Sequence, residues 1–253
     1  MVEIDVALVP QVARPREAAV FVVVDQIRAT TTLVTLIDLG CEAVYIEGSL
    51  VAARRLARAT NGLLIGERHL RKPAGFDFGN SPTTLVRAGV HGRSAVLSTT
   101  NGTWILRMLR GADHVLAGCL RNARACAEAA LRIAVEQSLP VRVVCSGRSR
   151  RFVIEDAVAA GEIVRRIRDA AQRDRIDVEL TDGATTALRL ADSYPDALTA
   201  LQLADGGRTL RSIGEAVDIP YCAEVDVSST VPGLQAGLPM RISALPASPS
   251  SAR

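Results

Sequence analysis

Two five-residue runs constrain this chain most: VFVVV at Val20–Val24 and VRVVC at Val141–Cys145. Successive side chains of a strand point to opposite faces, so a run that is apolar at nearly every position has no face to offer to water. Such strands belong in the interior of a parallel sheet covered by helices on both sides. Further short runs predict strands at Ile4–Leu8, Ala43–Ile46, Leu63–Ile65, Ala95–Ser98, His114–Ala117 and Met240–Ala244. Amphipathic stretches between and after them predict helices at Thr31–Leu39, Leu50–Thr60, Thr83–Ala88, Thr103–Leu109, Asn122–Ser138, Glu155–Arg173 and Thr185–Leu203. Strands alternating with helices imply an α/β fold of three α/β/α layers with a mostly parallel sheet.

Composition supports one packed body. Of 253 residues 48% are hydrophobic, and neither a repeat nor a linker interrupts the pattern, so residues 1–244 are expected to form a single domain. The closing PASPSSAR is small and polar, which predicts a disordered tail over 245–253. The opening MVEIDVALVP carries acids where a secretory leader needs a basic region. The longest apolar run, Ala18–Val24, is far short of the ~20 residues that cross a bilayer. Five dispersed cysteines without a CxxC pair read as reduced, buried thiols, and the expected setting is cytoplasmic. Aromatic residues at 3% leave few stacking platforms, so neither nucleic acid nor a membrane is expected as a partner. The working expectation for assembly is a homodimer.

In open α/β sheets ligands bind beyond the carboxyl ends of the strands, so the informative residues follow each strand. After Val24 comes Asp25-Gln26-Ile27-Arg28-Ala29-Thr30-Thr31-Thr32. An acid there can hold a metal, Arg28 can clamp phosphate, and the Thr30, Thr31 and Thr32 amides open a helix whose positive end attracts anions. The plainer reading makes the threonines helix caps, with Asp25 bonding loop amides. After Ile65 a long loop, GERHLRKPAGFDFGNSP, isolates Glu67 and Asp77 among basic residues. The turn Thr99-Thr100-Asn101-Gly102-Thr103 lacks the lysine of a Walker phosphate loop but can still cradle an anion with its amides. After Val144 comes CSGRSRRFVIED, which ends on Glu155 and Asp156. That acidic pair either binds metal or favours the amino terminus of a helix through its dipole.

Two familiar phosphatase patterns fail. Cys145 and Arg151 fit the C-x5-R cradle, but Cys126 and Arg132 fit it too. With five cysteines and 29 arginines, roughly half a match arises by chance. The haloacid-dehalogenase pattern needs an acid two residues after its nucleophilic aspartate, where Ile27 stands here. His69, His91 and His114 are too scattered for a zinc site, which leaves oxygen ligands and a hard cation such as Mg²⁺.

The segments DQIRATTT, GER…GFDFGNSP, TTNGT, CSG…FVIED and DIPYCAEVDVSSTVP, in that order, resemble the 2-phosphosulfolactate phosphatase (ComB) family. The resemblance implies a ComB-like α/β fold and a Mg²⁺-dependent phosphatase acting on a small anionic phosphorylated substrate. That substrate would be 2-phosphosulfolactate, cleaved to sulfolactate and phosphate in a step toward coenzyme M. Other expectations of the same fold are a different phosphorylated hydroxy acid as substrate, or an anion-binding protein without catalysis. On this reading Asp25, Arg28 and Glu67 are catalytic. Asp25, Glu67, Asp77, Glu155 and Asp156 supply the metal ligands. Substrate is held by Arg28, Thr30, Thr31, Thr32, Arg68, Asn80, Ser81, Thr99, Thr100, Asn101, Gly102, Thr103, Ser146 and Gly147. The chain departs from the family pattern in the basic stretch 69–73, at Thr83-Thr84 and in the crowding of Arg148, Arg150 and Arg151, all of which bear on substrate choice.

The net charge of +3 conceals an asymmetry. Residues 51–152 hold 17 basic against five acidic side chains, and the remainder 13 against 22. A basic middle of this kind would draw in a small polyanion wherever its arginines gather.

Overall fold

The computed structural model describes residues 1–10, 17–68 and 70–246. Seven strands lie in the first two thirds of the chain: β1 (Val2–Ala7), β2 (Val20–Val24), β3 (Ala43–Ile46), β4 (Leu63–Gly66), β5 (Ser94–Ser98), β6 (His114–Gly118) and β7 (Val141–Cys145). Of these, β3, β4 and β5 are parallel to one another, and β1, β2, β6 and β7 are parallel to one another. Helices alternate with them: α1 (Ala29–Asp38), α2 (Leu50–Thr60), α3 (Pro82–Leu85), α4 (Gly102–Met108) and α5 (Ala123–Gln137). After β7 follow α6 (Ile154–Asp174), β8 (Val178–Leu180), α7 (Asp182–Asp192), α8 (Ala197–Leu203), α9 (Asp205–Ser212), α10 (Asp218–Ala223), β9 (Pro232–Gln235) and β10 (Arg241–Ala244). The fold is thus α/β around one mostly parallel sheet, ordered β4-β5-β3-β10-β9-β6-β2-β7-β1-β8.

The both-face apolar runs do what their pattern dictates. Val20, Val22 and Val24 of β2 pack into a core made with α5, α6 and α7. Phe21 and Val23 point to the other face and meet Leu33 and Leu36 of α1 and Ile105 and Leu106 of α4. Ile46, Ile65 and Leu97 of β3, β4 and β5 enter that same second core, so α1 and α4 are shared between the two halves of the sheet. A smaller cluster around Ala53, Ala57 and Phe76 covers the far face of β5 with α2.

The halves are joined by an antiparallel hairpin. Strand β10 runs antiparallel to β3 and to β9, and β9 runs antiparallel to β6. Three reversals leave the group β4-β5-β3 opposed in direction to the group β6-β2-β7-β1-β8. Residues that follow β2 and β7 in one group and β4 and β5 in the other nevertheless line one cavity.

The segment Thr185–Leu203, whose pattern predicts one helix, is broken into α7 and α8 around Ser193–Asp196, where Pro195 removes a backbone donor. Strands β8 and β9 and helices α9 and α10 are additions to the predicted set. They are short, and Gly206, Gly207, Pro220 and Pro232 dilute their patterns. Residues 247–253 of the tail lie outside the described residues. Leu245 is held by its amide, which donates to Val231 O, so the ordered chain continues past 244. Among the described residues no helix is long and apolar enough to cross a membrane.

Gly66 closes β4 at φ +153°, and a Cβ there would stand 2.0 Å from Ser98 O of the paired strand. Gly66→Ala is expected to destabilise the protein by about 2 kcal/mol or more, because backbone rather than a flexible side chain must move. Urea denaturation checks this; a midpoint within error of the parent would show that the strand ends part freely.

Candidate active site

A cavity of about 260 Å³ opens where β2 and β7 of one group meet β4 and β5 of the other. Four carboxylates line it: Asp25, Glu67, Glu155 and Asp156, all nearly buried. Each is gripped by backbone amides. Asp156, in the first turn of α6, accepts from Gln26 N and Gly147 N, both at 2.8 Å, and so ties the ends of adjacent strands β2 and β7. Glu67 repeats the device in the other group, accepting from Thr100 N at 2.7 Å and Leu70 N at 2.9 Å. Asp25 Oδ1 accepts from Ala29 N at 3.0 Å. Glu155 Oε1 accepts from Gly206 N at 3.0 Å. Amide bonds to a charged acceptor are among the stronger hydrogen bonds, which is how buried acids are tolerated here.

The grip is incomplete. Burial pushes Asp25 up to about 6, with the Glu67 charge adding to it and the amides of Ala29 and Gly102 opposing. Burial, then the charges of Asp25 and Glu155, push Asp156 well above the usual carboxylate range. Glu155 is raised as well, by burial first. Its Oε2 is buried without any hydrogen-bond partner, as is Oδ1 of Asn80 on the same cavity wall. Two acceptors without donors, amid four acids, suit a hard divalent cation. Among the described residues no three acidic, histidine or cysteine side chains converge as a ready metal cage. Mg²⁺ does not need one, since it commonly takes one or two carboxylates and completes its shell with water and substrate phosphate. The residues therefore fit the cation, with Glu155 Oε2 and Asn80 Oδ1 offering the open oxygens beside the Asp25 carboxylate.

Ten of the expected site residues line the cavity: Asp25, Arg28, Glu67, Asn80, Thr99, Thr100, Asn101, Gly147, Glu155 and Asp156. The others stand elsewhere, for identifiable reasons. Asp77 is exposed on the sheet edge, where its carboxylate accepts from Leu64 N at 2.7 Å. Arg68 points away and donates to the carbonyls of Glu67, Ser98 and Gly48 and to Ser98 Oγ. Thr30, Thr31 and Thr32 turn their hydroxyls onto the carbonyls of Asp25, Gln26 and Asn80. Ser81 caps α3 and donates to Asp218 at 2.9 Å. Thr103 Oγ1 returns to Thr99 O at 2.6 Å, and Ser146 is buried with its amide on Val24 O. Gly102 sits behind Asp25, where a Cβ would come within 2.7 Å of Oδ2. The TTNGT amides expected to cradle phosphate thus serve the protein's own acids: Thr100 N holds Glu67, and Gly102 N bears on Asp25.

Arg28 is nearly buried and forms ion pairs with Glu215 and Asp218. Burial alone would lower its pKa, and the two carboxylates outweigh that and raise it. Asp218 also accepts from Ser81 and Thr83 hydroxyls, so the arginine is set by a fully buried acid 190 residues away. That role was hidden in sequence, although Asp218 opens the DIPY segment. Thr209, Leu210 and Gly206 of α9 complete the wall; the only prior signal was the Gly206-Gly207 pair, and a Cβ at Gly206 would meet Glu155 Oε1 at 2.3 Å.

The basic middle of the chain does not gather here. Arg142 pairs with Glu3 and Glu17, Arg121 with Glu224, and Arg107 with Glu47. Cys145 and Cys126, each first in a C-x5-R match, are buried, and burial pushes both thiols up, so neither offers a thiolate.

An open α/β sheet with an acidic cavity at its strand ends defines a protein built around a small-molecule site. The model of the 2-phosphosulpholactate phosphatase family matches residues 7–237, and the chain belongs to that family. A relative from Thermus thermophilus is 39% identical over 217 residues, covering 85% of this chain and 88% of its own. Another from Carboxydothermus hydrogenoformans is 35% identical, covering 91% and 92%. A third, from Deinococcus radiodurans, is 35% identical, covering 86% and 88%. All three are named probable 2-phosphosulfolactate phosphatase.

Asp25 yields a pH test. Its pKa is about 6 folded against 3.8 ordinarily, so the folded state holds the proton more tightly. The resulting stability is present below about pH 4 and is lost as pH rises through 6. In chelator, Asp25→Asn is therefore expected to raise stability at pH 7.5 by up to about 3 kcal/mol and to change it little at pH 4. Thermal melts at the two pH values measure it; equal shifts would mean that the charge is not what destabilises.

Proposed function

We propose that this protein is a Mg²⁺-dependent phosphatase that hydrolyses the phosphomonoester of 2-phosphosulfolactate to sulfolactate and phosphate, the reaction type used in coenzyme M biosynthesis. The observation that carries the reading is the unpartnered, buried Glu155 Oε2 in a cavity lined by four carboxylates. An anionic substrate entering such a cavity would be repelled without a cation. The cavity volume suits a three-carbon acid with its phosphate rather than a polymer. The names of the relatives supply the substrate.

Bound Mg²⁺ would polarise the phosphoryl group and offset its charge. Asp25 and Glu155 would hold it. Arg28, fixed in place by Glu215 and Asp218, would orient phosphoryl oxygens from the cavity wall. Asp25 is the side chain we assign to attack on phosphorus: its oxygen bonds to phosphorus as the ester P–O bond breaks, sulfolactate leaves with a proton on its hydroxyl, and water hydrolyses the aspartyl phosphate to phosphate and free Asp25. Acid quenching during turnover tests that assignment: label retained on the wild type but not on Asp25→Asn supports it, and label found solely as free phosphate transfers the attack to water.

With Mg²⁺, phosphate release from 2-phosphosulfolactate is expected, and EDTA should abolish it. Glu155→Gln should lower kcat/KM by about 100-fold or more. Turnover that survives both EDTA and Glu155→Gln would sink the metal reading. No release from this ester or from an aryl phosphate would sink the phosphatase reading itself.

A further inference from the structure

The arginines expected to grip substrate are largely engaged by the protein. Arg28 is neutralised by two carboxylates, and Arg68 spends four hydrogen bonds behind the cavity. Among the described residues one other arginine lines the cavity, Arg148, in the turn after β7. Its guanidinium donates to a neutral oxygen, Thr209 Oγ1, and among the described residues it makes no ion pair. Thr209 in turn donates to Asp205 O at 2.8 Å, so the hydroxyl is oriented to receive the arginine.

The turn that carries Arg148 is braced. Gly147 N is bonded to Asp156, and Arg148 and Arg151 exchange backbone bonds at 3.1 and 3.0 Å. Gly147 has φ +63°, and a Cβ there would lie 2.2 Å from Arg151 O, so a tight turn of this shape requires glycine. Ser149 N donates to Asn101 Oδ1 at 3.2 Å, and the Arg150 guanidinium lies 4.6 Å over the Trp104 ring, both at the start of α4. A half-buried cation held at the cavity wall, in no ion pair with the acids that share the cavity, is placed to meet an anionic group of a bound substrate.

We propose that Arg148 is a specificity-determining residue that binds an acidic group of the substrate other than the phosphate, its sulfonate or its carboxylate. The inference rests on the phosphatase reading and adds to it the reason why a phosphomonoester bearing a further sulfonate or carboxylate is preferred. The planar guanidinium meets such a group in bidentate fashion, and lysine cannot reproduce that. The phosphate lies with Asp25, Glu155 and Arg28, and one of the two other acidic groups lies with Arg148.

The test compares two esters and two ligands on wild type, Arg148→Met and Arg148→Lys. For 2-phosphosulfolactate, Arg148→Met is expected to lower kcat/KM about 30-fold or more, chiefly through KM. For phenyl phosphate, which lacks both the sulfonate and the carboxylate, the change should stay within about threefold. Arg148→Lys should fall between, and it keeps the test open where the methionine variant folds poorly. Binding is read separately from the fluorescence of Trp104, the single tryptophan, which sits against the same turn. Sulfolactate should lose affinity in Arg148→Met while inorganic phosphate does not. Equal losses for both esters or both ligands, or undiminished sulfolactate binding, would overturn the inference. Wild type that cleaves neither ester with Mg²⁺ refutes the phosphatase reading instead, and the fluorescence titrations then decide Arg148 alone: no sulfolactate binding by wild type overturns it.

Discussion

Backbone amides at strand ends gripping buried carboxylates are the interaction on which the rest of this structure depends. Asp156 joins the ends of β2 and β7, and Glu67 joins those of β4 and β5, each with two amide bonds. Asp25 lies between these two clamps, with one amide from α1 and the backbone of α4 pressed against its other oxygen. The two halves of the sheet are thereby registered to each other at the cavity. Their shared core of α1 and α4 packs the same join from below. An acid is well suited to this work because an ionised carboxylate accepts several bonds and draws on the positive ends of the helices that start there.

The cost is a cluster of negative charge out of water. Desolvation and mutual repulsion raise Asp25, Glu155 and Asp156 together. Amides offset part of this, yet Glu155 Oε2 is left unmatched. A fold that gathers buried acids at its strand ends therefore carries a place for a cation as a by-product of its own architecture. Positive side chains do not balance it, since Arg28 is held by Glu215 and Asp218, and Arg107, Arg121 and Arg142 of the basic middle pair with acids elsewhere. Field and chemistry part company here: the sequence is basic in its middle, while the cavity that middle encloses is acidic.

The helices after β7 supply what the strand ends lack. Glu155 is set by Gly206 of α9, Arg28 by Asp218 of α10, and Arg148 by Thr209 of α9. These elements are short and weakly patterned, and α10 holds Pro220. Their stability comes from packing against the strand ends rather than from intrinsic propensity. They also complete the wall of the cavity, which is therefore closed by the least regular part of the chain.

The sequence by itself determined the sheet and the location of the acids. Strands at Val20–Val24, Ala43–Ile46 and Val141–Cys145 and the helix at Leu50–Thr60 follow from side-chain period alone, because burial on one or two faces is a local property of the pattern. Asp25, Glu67, Glu155 and Asp156 stood out since they follow strand ends, and the structure gathers them. It could not reveal that the threonines of DQIRATTT turn to backbone carbonyls, that Arg68 faces away, or that Asp77 caps an edge strand. Nor could it join Arg28 to Asp218 or set Arg148 against Thr209. Those outcomes rest on pairings between residues as much as 190 positions apart, and a buried polar group takes whichever partner the packed chain brings within 3 Å. Tertiary structure decided the partners, and with them which charges remain free to meet a substrate.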